Sequence, residues 1–277
     1  MAIKLGTVAA IGFDDFPPGE WLGLFRELGC ETVQAYRNQD ADITVEQMRH
    51  AIEAGQMPCD SLHGVYGEKY DPSSPDESAR RFAVDAFKSE GDLALQLGGP
   101  LVVVHCSTIR HDPISPNERA TRVNQLRKSI SELGSFGREV GVQYAFENLP
   151  AYHAIGWDIV QLTGLLKETE APNTGMCLDT GHAHMVGDAV EAVHQAGDKM
   201  IYVHLSDNFG NSDDHDMPTV GTLPSDLVAE ALHEVGYEGT VMLEVFYGVG
   251  RLRKLIDEGC ADRLDRLIQI ANGRAKN

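Results

Sequence analysis

Residues 174–187, TGMCLDTGHAHMVG, read as a short buried strand, Met176-Cys177-Leu178, running into Asp179 and then a turn that carries His182 and His184. A carboxylate and two imidazoles so close to one strand end form a density of metal-ligating groups for which a hydrophobic core has little use. Five further strand-like runs end in the same way, each on a His or a Glu, at His63, His105, Glu147, His204 and Glu244.

Outward from that stretch the chain alternates between two textures. Strands are expected at residues 3–8, 31–36, 59–63, 101–105, 142–147, 176–178, 201–204 and 240–244. Helices are expected at 20–28, 44–54, 76–97, 117–140, 158–167, 188–195, 225–235 and 252–271. Thr44 and Asp158 are suited to cap their helices, and Gly29, Gly55, Gly98 and Gly141 stand where four of them stop. The LVVVH run at 101–105 is continuously apolar before its histidine, as a parallel strand covered on both faces must be. Eight evenly alternating units with short glycine-punctuated links and no low-complexity linker indicate an α/β protein, a single (β/α)8 TIM barrel domain over residues 1–277. A doubly wound open sheet is the alternative, and the even alternation favours closure.

In a parallel barrel the C-terminal strand ends share one mouth. His63, His105, Glu147, Asp179, His204 and Glu244 therefore converge there. The period-2 alternation of a strand puts Val103, Ala145, Cys177, Tyr202 and Met242 on the same inward face as the polar residue two positions on. Isolated buried charges cost several kcal/mol each, and a divalent cation is the simplest partner that offsets this. Taken singly, each residue has an ordinary structural reading: a core histidine, a loop or helix cap, or, for Asp207, a turn. Their coincidence at matching strand ends assigns the six to one site. His111, His153, His194 and His233 lie off that pattern, the last two on helices. In the loop after strand seven, Asp213 and His215 form a D-x-H pair with two readings, further metal ligands or a solvated acidic loop.

The chain has 23 basic and 42 acidic residues, a net charge of −19 that repels phosphate backbones and anionic membranes. Nucleic acid is thus an unexpected partner, and a cation with a neutral small molecule an expected one. No apolar run is long enough to cross a membrane. The N-terminus enters a strand without a signal-like basic segment. The five cysteines are scattered and never spaced CxxC, which suits a reduced, cytoplasmic protein. A GxSxG elbow, a phosphate-binding GxxxxGK[ST] loop and an HExxH helix are all missing from the sequence.

The segments FENLP, CLDTGHAHMVG, YVHLSDNFGNSDDHDMP and VMLEV, in this order and spacing, resemble the xylose isomerase-like barrel superfamily, which includes sugar (phosphate) isomerases and epimerases and the family 2 apurinic/apyrimidinic endonucleases. In the ketose epimerase branch the resemblance implies one Mn2+-type ion on Glu147, Asp179, His204 and Glu244, with the two glutamates moving the proton and His182 touching substrate. His63, His105 and His153 would join it as substrate contacts. His153 stands where that branch has a glutamate, and Gly210 where it has an arginine, which leaves the particular sugar open. In the endonuclease IV branch the resemblance implies three zinc ions, with counterparts in His63, His105, Glu147, Asp179, His182, His204, Asp213, His215 and Glu244.

The expectation is therefore a metal-dependent isomerase or epimerase of a sugar, sugar phosphate or polyol ketone. Mn2+ or Zn2+ is favoured, and Co2+ or Mg2+ is compatible. The resemblance also implies a homo-oligomer. The alternative is a zinc-dependent phosphodiesterase of the endonuclease IV type. The anionic loops FDDFPPGE, NQDAD, YDPSSPDES and NSDDHD weigh against it, because a DNA-binding mouth needs basic residues.

Overall fold

The computed structural model describes residues 2–110 and 112–275; His111 lies outside them. Eight strands pair side by side, all parallel: β1 (Lys4–Ile11), β2 (Thr32–Arg37), β3 (Cys59–His63), β4 (Leu101–His105), β5 (Gln143–Glu147), β6 (Thr174–Asp179), β7 (Met200–Leu205) and β8 (Thr240–Leu243). The sheet closes where β8 pairs with β1, Lys4 opposite Thr240 and Thr7 opposite Leu243. The outer ring begins with α1 (Pro18–Glu27), α2 (Val45–Gly55), α3 (Glu77–Leu97), α4 (Pro116–Val140) and α5 (Ile159–Thr169). It continues with α6 (Thr180–Val186), α7 (Ala189–Ala196), α8 (Ser225–Glu234), α9 (Val249–Asp257) and α10 (Cys260–Ala271).

Local chemistry starts and stops these helices where the sequence indicates. Thr44 forms a reciprocal capping box with Gln47 at the start of α2. Asp76, Asp158 and Asp188 accept backbone N–H groups at the starts of α3, α5 and α7. Gly98 and Gly141 close α3 and α4 in the left-handed region.

Two expectations are corrected. The segment after Asp179 is the helix α6 and not a turn, because the Asp179 carboxylate accepts the His182 N–H and caps the helix directly at the strand end. The expected helix over 252–271 is two helices, broken at Gly259, whose φ of 80° belongs to the left-handed region.

The interior splits into two cores. The larger fills the shell between strands and helices. The smaller, inside the barrel, consists of Leu101, Val103, Ala145, Cys177, Tyr202 and Met242, as the alternation requires. Beneath it the Tyr202 hydroxyl donates to Asp60 Oδ1 at 2.9 Å, and Thr240 donates to Asp60 Oδ2 at 2.6 Å. The barrel is therefore plugged, and a ligand reaches the strand ends only from the C-terminal mouth.

Gly99, between α3 and β4, marks a close backbone approach: a Cβ there would fall 2.5 Å from the Asp60 carbonyl carbon and against the Ser61 amide. Gly164 lies inside α5 with open space around it. Gly99→Ala is expected to lose about 1–3 kcal/mol through overpacking. Gly164→Ala should instead gain about 0.5–1 kcal/mol, from the reduced freedom of the unfolded chain. Urea denaturation of the two variants checks the opposite signs.

Candidate metal centre at the barrel mouth

The register of the sheet brings the expected residues together. His105 lies opposite Glu147 across β4 and β5, and Asp179 opposite His204 across β6 and β7. Glu244 is one residue past β8, and its N–H donates to the Leu205 carbonyl at 3.2 Å, extending the ladder by one bond. Ligand atoms of Glu147, Asp179, His204 and Glu244 all lie within 4.8 Å of one another, and all four residues are buried. A second group, His63, His105 and Glu147, meets the same limit and shares Glu147 with the first.

The first group is short of positive charge. His204 Nδ1 lies 2.9 Å from both Glu147 Oε1 and Glu244 Oε2. One N–H serves one acceptor: Glu147 Oε1 takes it, and Glu244 Oε2 is left without a donor. Asp179 uses Oδ1 to cap α6, accepting from the His182 N–H at 2.6 Å, while its Oδ2 is buried and unpartnered. Burial pushes the Asp179 carboxyl up to about 7 against the pull of His182. Burial also opposes ionisation of Glu147 and Glu244, but the His204 imidazole outweighs it and holds both below the ordinary range, Glu244 at about 2. Three carboxylates around one imidazole, each with a buried oxygen lacking a hydrogen-bond partner, fit a divalent cation. His204 Nδ1 would be a ligand of that ion once deprotonated.

Three further histidines are oriented alike. Nδ1 of His63 is 3.0 Å from the Gly64 carbonyl, that of His182 2.8 Å from the Asn148 carbonyl, and that of His215 3.0 Å from the Glu244 carbonyl. Each Nδ1–H is thus donated to backbone and each Nε2 is turned toward a carboxylate. That outer hydrogen bond fixes the tautomer in metal-binding histidines. Nε2 of His182 and of His215 lie 3.2 and 3.3 Å from Asp213 Oδ2. Asp213 and His215 line the mouth cavity, while Asn211, Ser212 and Asp214 of the same loop are exposed. The loop is pinned by the paired backbones of Asp207 and Asp216 and by the Tyr247 hydroxyl, which donates to Asp216. Burial opposes charging His215, but the Asp213 hydrogen bond and the Glu244 charge push it up to about 9.

A cavity of about 930 Å³ opens over the centre. Glu147 and Glu244 line it, as do His63, His105, His153, His182, Asp213 and His215, while Asp179 and His204 lie beneath it with no exposure. His153 sits among the cavity walls with its Nδ1 unpartnered, and burial pushes it down to about 3. Of the residues off the pattern, His194 and His233 are exposed on α7 and α8. Asp207 is a structural clamp that accepts from the backbone of Gly221 and Leu223.

Two site residues escaped the sequence reading. Asn148 locks β5 to β6, donating to the Asp179 carbonyl at 2.9 Å and accepting the Asp179 N–H at 2.8 Å. Its signal was its place directly after Glu147. Tyr36, at the end of β2, packs edge-on against His63 with ring centroids 4.9 Å apart and joins its hydroxyl to that of Tyr66 at 3.1 Å. Its signal was the strand-end position that marked the other six.

Burial, with the His105 charge adding to it, pushes His63 from 6.5 down to about 4. Between those values the unfolded chain binds a proton that the folded chain excludes, so stability falls as pH drops through that window. Without metal, the protein is expected to lose about 1–2 kcal/mol between pH 7 and pH 5 from this one group. Chemical denaturation at the two pH values should show a smaller loss in His63→Gln.

Comparison with known proteins agrees with this architecture. An uncharacterized protein of Methanocaldococcus jannaschii, MJ1311, is 28% identical over 187 residues, which are 66% of this chain and 63% of that protein. The chain thus spans under two thirds of that relative. The D-psicose 3-epimerase of Ruminiclostridium cellulolyticum is 24% identical over 254 residues, covering 88% of this chain and 77% of that one. A solved structure of a D-tagatose 3-epimerase-like protein superposes with a TM-score of 0.75 at 20% identity, over 98% of this chain and 99% of the other, a likeness of fold. The family model of the xylose isomerase-like TIM barrel matches residues 22–266. On that match, and on the closed barrel that carries it, the chain belongs to the xylose isomerase-like TIM barrel family.

Proposed function

We propose that the protein is a divalent-metal-dependent isomerase or epimerase of a sugar or related polyol ketone. One observation carries this reading. Of the four clustered ligands, Glu147 and Glu244 reach the cavity, while Asp179 and His204 stay beneath it. Two carboxylates of the cluster can thus touch a substrate, and a bound cation would keep them ionised at neutral pH. The sugar epimerase among the relatives and the epimerase-like solved structure support the same class.

Glu147, Asp179, His204 and Glu244 would hold a divalent cation, which would supply Lewis acidity to a ketone oxygen and its neighbouring hydroxyl. One of Glu147 and Glu244 would take the proton from the hydroxyl-bearing carbon beside the ketone and release it to solvent, and the other would take up a solvent proton and deliver it to the opposite face. Asp179 and His204, walled off from the cavity, hold the ion and take no part in proton transfer. His182, which faces the cavity from the start of α6 with its Nδ1–H fixed, directs Nε2 at a substrate hydroxyl or at Asp213. Burial pushes His63 and His153 down to neutral forms, in which they contact hydroxyls without adding charge.

A second reading rests on the group formed by His182, Asp213 and His215 together with that of His63, His105 and Glu147. Loaded with further ions, these would make a zinc phosphodiesterase of the endonuclease IV kind. The net charge of −19 opposes it, since DNA has to be held by cationic side chains.

The protein purified without added metal or chelator is expected to carry about one Mn2+, Co2+ or Mg2+ per chain, measured by elemental analysis, as a single Glu/Asp/His/Glu set requires. About three zinc ions per chain, with cleavage of abasic-site DNA that stops on chelation, is the result that supports the second reading. Glu147→Gln and Glu244→Gln should each lower deuterium exchange from solvent into an accepted ketose by about 10²–10⁴-fold. Full exchange in both variants would sink the two-glutamate mechanism.

A further inference from the structure

We propose that the outer part of the mouth cavity is a second sugar-binding subsite, so that the ketose presented to the metal centre is one unit of a larger neutral glycoside. The inference rests on the isomerase reading for the inner site, and on the following features for the outer one.

The first is size. At about 30 Å³ per liquid water, the cavity of about 930 Å³ holds roughly thirty waters. A free hexose, with roughly a dozen heavy atoms, displaces a minor part of them. Glu147 and Glu244 line the cavity, and the rest of its wall, its outer lobe, is drawn from the loops after β3, β4 and β5 and from the helices α3 and α4. Tyr66, Asp71, Ser74, Ile109, Arg122 and Tyr152 belong to its wall.

The wall is built, and it is not a slack loop. The loops after β4 and β5 are zipped together: the Arg110 N–H donates to the Tyr152 carbonyl at 2.8 Å and the Ala154 N–H to the Thr108 carbonyl at 3.0 Å. This zip holds two large apolar groups in the open, Ile109 at 50% and Tyr152 at 41% exposure. An aromatic ring kept exposed beside polar groups at a cavity rim suits a ring that is apolar on its C–H face and hydroxylated at its edge.

Charge excludes the anionic alternative. Arg122, buried in the lobe floor, gives Nη1 to Asp71 at 2.7 Å and to Ser73 at 3.3 Å, and Nε to Glu118 at 3.0 Å. Arg110 also donates to Glu118, at 3.0 Å. Both guanidinium groups are thus neutralised from within, and the lobe adds Glu68 and Asp112 to its lining. Among the described residues of that wall, a phosphate would meet no unpaired guanidinium group. A neutral polyol meets carboxylates and hydroxyls as hydrogen-bond partners.

D-fructose, D-fructose 6-phosphate and isomaltulose carry hydrogen, phosphate and a glucosyl group on the same oxygen, and so separate the cases. With the manganese-loaded protein, kcat/KM for solvent deuterium exchange should be about tenfold or more higher for isomaltulose than for the other two, as one stacked ring contributes. The ratio of isomaltulose to D-fructose should fall about five- to tenfold in Tyr152→Ala and in Ile109→Asn. Equal values for the three ketoses, preference for the 6-phosphate, or a ratio unmoved by both variants overturns the subsite and leaves the isomerase reading standing. If no ketose exchanges, calorimetry decides: isomaltulose binding more tightly than D-fructose, with the advantage lost in Tyr152→Ala, sustains the subsite and overturns the isomerase reading. No heat with any ketose overturns both.

Discussion

The mouth of this barrel is organised by a shortage of positive charge. Glu147, Asp179 and Glu244 are brought close to a single imidazole, His204, and all four side chains are buried. The arrangement is costly to fold without a counter-ion, because each carboxylate loses its hydration and only one can take the His204 proton. The surroundings are braced against relaxing. Asn148 clamps β5 to β6 with two hydrogen bonds, and Asp179 is held at the helix start by the cap it makes. The Asp207–Asp216 bridge fixes the Asp213 and His215 loop. Such bracing keeps polar groups at a geometry they would leave if they were free, which is how preorganised sites are made.

Most of this was legible in the sequence, because barrel closure converts a one-dimensional regularity into a three-dimensional one. Once strands alternate with helices, every strand ends at the same mouth. Polar residues at His63, His105, Glu147, Asp179, His204 and Glu244 then needed no further information to be placed together. The inward row of Val103, Ala145, Cys177, Tyr202 and Met242 followed from the same alternation. What escaped depends on a residue doing two jobs or on contacts between distant loops. Asp179 is both a candidate ligand and the cap of α6, so its carboxylate read as chemistry and hid the helix behind it. Gly181, a weak helix former, hid it further. Gly181 is kept there because a Cβ would run into the Ser206 hydroxyl. Gly259 was visible, yet the apolar period continues on either side of it and masked the break. The cavity wall had no sequence signal, since the zip between the loops after β4 and β5 joins residues whose side chains play no part in the pairing.

The histidines separate into two electrostatic classes, and the division follows their neighbours. His204, His182 and His215 each face carboxylates, and despite burial their protonated forms are favoured. His63 and His153 face other imidazoles, and burial holds them neutral. Protonated imidazoles therefore lie on the side from β6 round to β8, and the neutral imidazoles of His63 and His153 on the side of β3 to β5. The charge state of the imidazoles thus changes from one part of the cavity wall to another.

That change bears on why one ligand set suits two chemistries. The nine residues that a three-zinc phosphodiesterase would use are present around one mouth, as are the four that a one-metal isomerase would use. The ligands therefore do not choose between the reactions; the walls do. A phosphodiester substrate brings its own negative charge and needs cations along the rim. Here the guanidinium groups of Arg122 and Arg110 are already committed to Asp71 and Glu118. The rim beside them presents the ring of Tyr152 and the side chain of Ile109, which gain nothing from a phosphate and much from the apolar face of a sugar. In this chain the loops that carry Ile109 and Tyr152 are zipped together through their backbones, so their side chains can be altered without disturbing the carboxylate and histidine cluster below.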